Sequence, residues 1–166
     1  MAAGSDASGD LMSHVDPPAA LGTLGFLVGR FHGEGRFQRG AVTFEKEVVG
    51  RWEVGGHFLS LSMVASYRVE DVVADVHQAL ALVGVDPASG DLQAHVFTDG
   101  GQVLEHRLRL DADRLSFHDR VPHETRAKQA RKTLVRTAYG YEETLEVDRD
   151  GDGFETYSVV RLRRLP

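Results

Sequence analysis

His57 shares a parity with Leu59, Leu61 and Met63 in "HFLSLSM", and His106 stands between Leu104 and Leu108. Tyr139, Tyr141 and Glu143 alternate in step with Val135, Leu145 and Val147, and Thr156 and Ser158 with Phe154 and Val160. Residues two apart on a strand point to one side of the sheet. These polar groups are therefore expected among apolar ones, where burial costs free energy unless they are paired. Imidazole and carboxylate converging across a cavity can exchange protons, which makes His57, His106 and Glu143 the candidate catalytic groups. Trp52, Met63, Phe117, Tyr139, Tyr141 and Ser158 are the candidate ligand-binding side chains. Mostly apolar surface with a few hydroxyls is the usual make-up of a small-molecule pocket.

Each candidate has a plainer alternative. A single inward histidine is more often a hydrogen-bonded core residue, and tyrosines commonly fill a barrel with their hydroxyls near a rim. Glu143 at a barrel end would reach solvent. His32, His95 and His118 fall on the more polar parity of their strands, where surface is the default.

No metal site is expected. The eight histidines show no H-x-H or H-x-x-x-H spacing, and there is no cysteine to supply a thiolate. "DRDGDG" places Asp148, Asp150, Asp152 and Gly153 as in the front half of an EF-hand loop. The position that should hold a bidentate glutamate is Val159, and the flanks read as strands, so a hairpin turn is expected. Nucleophile elbow, phosphate loop and dinucleotide fingerprint are all absent; the glycines of "GRFHGEGR" lie within a strand and allow it to coil. The basic run Arg126, Lys128, Arg131, Lys132 and Arg136, with Glu124 and Asp119 beside it in a chain of net negative charge, reads as a solvated loop.

The elements that must position these residues are strands. From Phe31 onward the dominant signal is alternation with a period of two. Phe31 and Phe37 share one parity, and Val42, Phe44, Val48 and Trp52 the next. "VHQALALVGV" is apolar on both parities, as expected of a strand covered on both sides, and "DPASGD" is a strong turn. Three short strands follow, then a polar stretch "PHETRAKQAR" that reads as an exposed loop. "KTLVRTAYGYEETLEV" and "FETYSVVRLRR" supply the last two strands. The expectation is an all-β, antiparallel up-and-down barrel of about nine or ten strands, lipocalin-like, preceded by a short helical turn in "LGTLGFLVGRF". A β-sandwich is the competing architecture. Residues 1–20 are expected to be a disordered lead and residues 21–166 a single barrel domain.

"LGFLVGRFHGEGRF", "RWEVGGHFLSLSM", "ALVGVDPASGDLQAHVFTDGG" and "YEETLEVDRDGDGFETYSVVRLRR", in that order, resemble the DUF1579 family of small bacterial proteins. The resemblance runs from Leu21 to Arg164; its most specific piece is the apolar strand followed by "GVDPASGDL" and "TDGG". That family is related more distantly to nitrobindin-type and fatty-acid-binding-protein-like barrels. The resemblance implies a calycin-like barrel with a pocket and no settled activity. Nitrobindin-type proteins carry a haem-ligating histidine near the C-terminal end of the barrel, but "FETYSVVRLRRLP" has none, and Phe31 stands where that group has tryptophan. No cofactor is expected.

The chain has 166 residues, 42% hydrophobic and 27% charged, with a net charge of −6. This is an ordinary globular mix whose sign disfavours nucleic acid as a partner. No apolar stretch is long enough for a membrane-spanning helix, and the first residues lack a signal-peptide pattern. With no cysteine, this suits a cytoplasmic protein. Three functions fit: a binding barrel for a small apolar or aromatic molecule, a cofactor-independent isomerase or cyclase in the same cavity, or a partner-binding protein using the loop 122–131. An oligomer is compatible with each.

Overall fold

The computed structural model describes residues 16, 18–39, 42–70, 72–119 (without the Asp119 side chain) and 129–166. Most of the expected disordered lead, and the loop 122–131 up to residue 128, lie outside the described residues. Ten antiparallel strands form a closed barrel: β1 (Gly29–Phe37), β2 (Thr43–Glu53), β3 (Phe58–Val69), β4 (Val72–Val85), β5 (Leu92–Thr98), β6 (Val103–Asp111), β7 (Arg114–Asp119), β8 (Gln129–Thr137), β9 (Gly140–Asp148) and β10 (Glu155–Arg164). Every strand pairs with its neighbours in sequence, and β1 closes on β10 with Phe31 opposite Arg164. Closure leaves no free edge, so each ladder is satisfied without a partner chain.

The two ends of the barrel differ. A helical turn α1 (Ala19–Gly22) and a 3-10 turn (Thr23–Leu27) pack Leu21, Leu24 and Leu27, all fully buried, into the end where β1 begins. Gly50 permits this contact, because a Cβ there would overlap the Leu27 carbonyl. Arg164, from the last turn of β10, donates to the carbonyls of Val28 and, at 3.1 Å, Phe26, with its guanidinium 4.8 Å above the Phe31 ring. The chain thereby seals one end with its own N-terminal segment and fastens the seal with its C-terminal strand.

The inward faces follow the alternation. Phe44, Lys46 and Val48 alternate with more exposed neighbours on β2, as do Ala81 and Val83 on β4 and Val160 and Leu162 on β10. Gly35 gives the Phe44 ring room that a Cβ would fill, which is the structural use of one glycine in the first strand.

Four expectations change. "KTLVRTAYGYEETLEV" is not one strand: β8 and β9 form a hairpin with Thr137 opposite Gly140. Its two-residue loop inverts parity, so Leu134 faces Glu143 while Val135 faces Glu142. Second, a bulge between Thr156 and Ser158 on β10 puts Thr156 outside and Ser158 inside. Third, β4 is not covered on both sides, for Leu80 and its neighbour Phe97 on β5 are exposed on the outer face. Fourth, Lys132 of the basic run belongs to β8 and reaches inward, instead of lying on a solvated loop. "DRDGDG" links β9 to β10 as a turn, in which Asp148 accepts a 2.6 Å hydrogen bond from the Gly151 N–H.

Candidate functional site

Beyond the plug, toward the opposite end, the barrel keeps a cavity of about 240 Å³. Val48, Leu61, Met63, Val96, Phe117 and Leu134 supply much of its apolar wall. Its polar lining comes from Gln102, His106, Lys132, Tyr141 and Glu143.

The charged centre is Glu143, buried on β9. Lys46 of β2, only 6% exposed, donates to both its oxygens, at 2.6 and 2.7 Å. Lys132 approaches from β8, its Nζ 3.5 Å from Glu143 Oε1. These residues are 97 positions apart in the case of Lys46 and Glu143, so barrel closure, and not local sequence, brings them together. A charge buried alone would cost several kcal/mol, whereas a bidentate pair with a further cation offsets that penalty.

The surroundings split the titrations. Burial pushes the Glu143 carboxyl up, but Lys132 and Lys46 outweigh it and hold the group down at about 2. Burial pulls the Lys46 ammonium down to about 8; Glu143 opposes that shift and Lys132 adds to it. The asymmetry has a simple cause: Glu143 faces two cations, while Lys46 faces one anion and one cation. Burial, with Glu143 second, holds the Tyr141 phenol well above its ordinary range.

Five sequence candidates, Met63, His106, Phe117, Tyr141 and Glu143, line this one cavity. The His106 and Phe117 rings meet edge to face at 5.9 Å. Glu143 does not sit at a rim, being 8% exposed. The other four lie elsewhere. Trp52 keeps the inward parity of β2 but lies past the end of the packed barrel, 38% exposed. His57 precedes β3, in the short connection at the plugged end, and is not on the strand face it was read on. Tyr139 occupies the tip of the β8–β9 hairpin and is 78% exposed, because the hairpin breaks the alternation that placed it beside Tyr141. Ser158 is buried on β10 without forming part of the cavity wall.

Lys46 and Lys132 were missed, although both signals were present. Lys46 sits between Phe44 and Val48 on their own parity. Lys132 is two residues from Leu134, but it was grouped with the basic run as a solvated loop, and the unrecognised hairpin hid the parity it shares with Leu134. Beside the ion pair, Phe37, Phe44, Tyr67 and Tyr157 form an aromatic group with centroids 5.1–5.7 Å apart.

Haem held in the nitrobindin manner does not fit these residues, since β10 turns Ser158, Val160 and Leu162 inward and offers no imidazole. Among the described residues no group of three or more metal-ligating side chains gathers, and no helix is long and apolar enough to cross a membrane.

Fold and cavity together define a closed ten-strand antiparallel barrel of calycin-like type, plugged at one end. The fold is similar to that of Rv2717c from M. tuberculosis, a solved structure that aligns with a TM-score of 0.63 over 91% of this chain and 100% of that one, at 16% identity. No family model matches the chain, and no curated protein matches it. Membership of DUF1579 thus remains a proposal.

Proposed function

We propose that this DUF1579-like barrel is a binding module that holds one small apolar or aromatic molecule inside its cavity. The observation that carries the reading is an apolar-walled space of about 240 Å³ whose few polar wall groups include Glu143, the carboxylate of a buried ion pair. Pockets of this make-up bind by enclosing apolar surface and orient the ligand with a few polar contacts. Met63, Phe117 and Tyr141 would contact the body of the ligand.

The competing reading, an isomerase or cyclase using the same residues, is weaker on electrostatic grounds for two of them, Glu143 and Tyr141. A general acid or base works best with a pKa near the working pH. Glu143 is held near 2 and Tyr141 well above its ordinary value, so both are displaced away from neutrality. His57 and Tyr139 lie at the plugged end and contribute nothing to the cavity wall.

Calorimetric titration with naphthalene, an uncharged aromatic probe, tests the binding reading. Saturable binding that disappears in Ala81→Phe, where the new ring fills the cavity, is the expected result. A folded wild-type protein that takes up neither this probe nor any other small apolar molecule would contradict it.

A further inference from the structure

The ion cluster is unbalanced. Lys46 and Lys132 bring two positive charges to one carboxylate, and among the described residues lining the cavity no other carboxylate answers them. The two lysines are also not equivalent. Lys46 takes both oxygens of Glu143 and is almost wholly buried, whereas Lys132 stands off at 3.5 Å with its side chain 32% exposed. An ammonium has three donors to place, and its single long approach to Glu143 leaves Lys132 with donors to direct at a ligand. Lys132 is on the cavity wall and Lys46 is not. Among the described residues the cluster therefore carries one cation in excess, and Lys132 is the one that faces the apolar space.

We infer that the cavity takes a compact monoanion, an arylcarboxylate of about ten non-hydrogen atoms, with its carboxylate on Lys132 and its ring against Phe117 and Met63. The size follows from volume: an apolar cavity of about 150 Å³ holds benzene, so the 240 Å³ here holds a body a little larger. The charge follows from the count, because a bound carboxylate brings the cluster to two cations and two anions. A dianion would restore an imbalance of opposite sign, and a cation would deepen the existing one. A long alkyl chain exceeds the space. The inference rests on the reading of the barrel as a ligand holder and adds the head group to it.

Cinnamate and cinnamamide share one skeleton and differ in charge, so titrating both into the full chain at pH 7 isolates the head group. Cinnamate is expected to bind about tenfold more tightly, as a charge-assisted hydrogen bond in a partly buried site would give. Lys132→Met is expected to erase that preference while still binding cinnamamide, with Lys132→Gln as a second variant if the first does not fold. Equal affinity of the two compounds for the wild type would overturn the assignment of the head group and leave the cavity reading intact. Failure of both compounds, with naphthalene also excluded, would overturn the two readings together.

Discussion

The barrel has two halves built from the same strands in opposite ways. At the plugged end, Leu21, Leu24, Leu27 and Phe31 are all but fully buried and fill the interior. At the other, the strands enclose a void and spend inward positions on Lys46, Lys132 and Glu143. Dense packing stabilises, since every side chain keeps its full set of dispersion contacts. A void and an ion cluster stabilise little, because desolvation offsets most of the Coulombic attraction. The difference teaches that the plugged half holds the fold together, which leaves the cavity half free to carry recognition.

The sharpest way to break this contrast is to unbalance the ion cluster. Glu143→Gln leaves two ammonium groups facing each other without a carboxylate and is expected to cost roughly 3–5 kcal/mol in chemical denaturation. Lys46→Met should cost less, because Glu143 keeps Lys132. Replacing Lys46 and Glu143 together with methionine should recover most of the loss; failure to recover would mean the pair stabilises in its own right.

Next in size is the plug. Leu24→Ala should destabilise by about 2–5 kcal/mol, since it opens a hole in a filled end. Met63→Ala, on the wall of an existing cavity, should cost about 1 kcal/mol or less. Equal losses at the two sites would erase the distinction between the halves.

Acid titration sharpens the comparison further. The folded-state pKa of Glu143, about 2, lies below its ordinary value of 4.5. Between those values the unfolded chain binds the proton and the folded chain does not, so stability rises with pH. The contribution is complete above about pH 4.5, is lost as pH falls toward 2, and amounts to about 3 kcal/mol. The wild type should show this loss and Glu143→Gln should not, when melting is followed across that range. Lys46 acts with the same sign at the alkaline end: its pKa falls to about 8 from 10.5, so between these the folded chain has shed a proton the unfolded chain retains. By the same arithmetic stability should gain a comparable amount from pH 8 to 10.5, set against the general alkaline repulsion of the chain.

The barrel was legible because alternation is a local property, visible over six to ten residues in nearly every strand. The parts that were missed all turn on one-residue details of parity. A two-residue hairpin at Ala138 and Tyr139 and a bulge next to Ser158 each flip the faces beyond them, and neither carries a proline or an Asn-Gly signal. Tyr139 and Thr156 were misplaced for that reason, whereas Ser158 is buried as expected but lies off the cavity wall, and Lys132 was read as part of a solvated loop. Trp52 failed differently: its parity was right, but alternation does not say where a barrel's packed section ends. His106, Tyr141 and Glu143 reach one cavity because each lies on the apolar face of its strand. That Lys46 would meet Glu143 was not readable, since pairing across 97 residues depends on closure.

The most direct test of the central claim, that this cavity binds a small molecule, is methyl NMR on protein labelled at its three methionines. Met63 lines the cavity, and Met63→Leu identifies its signal. Titration with naphthalene or cinnamate should move the Met63 methyl resonance saturably. A Met63 resonance that stays fixed at saturating concentrations of both compounds would contradict a ligand-holding barrel.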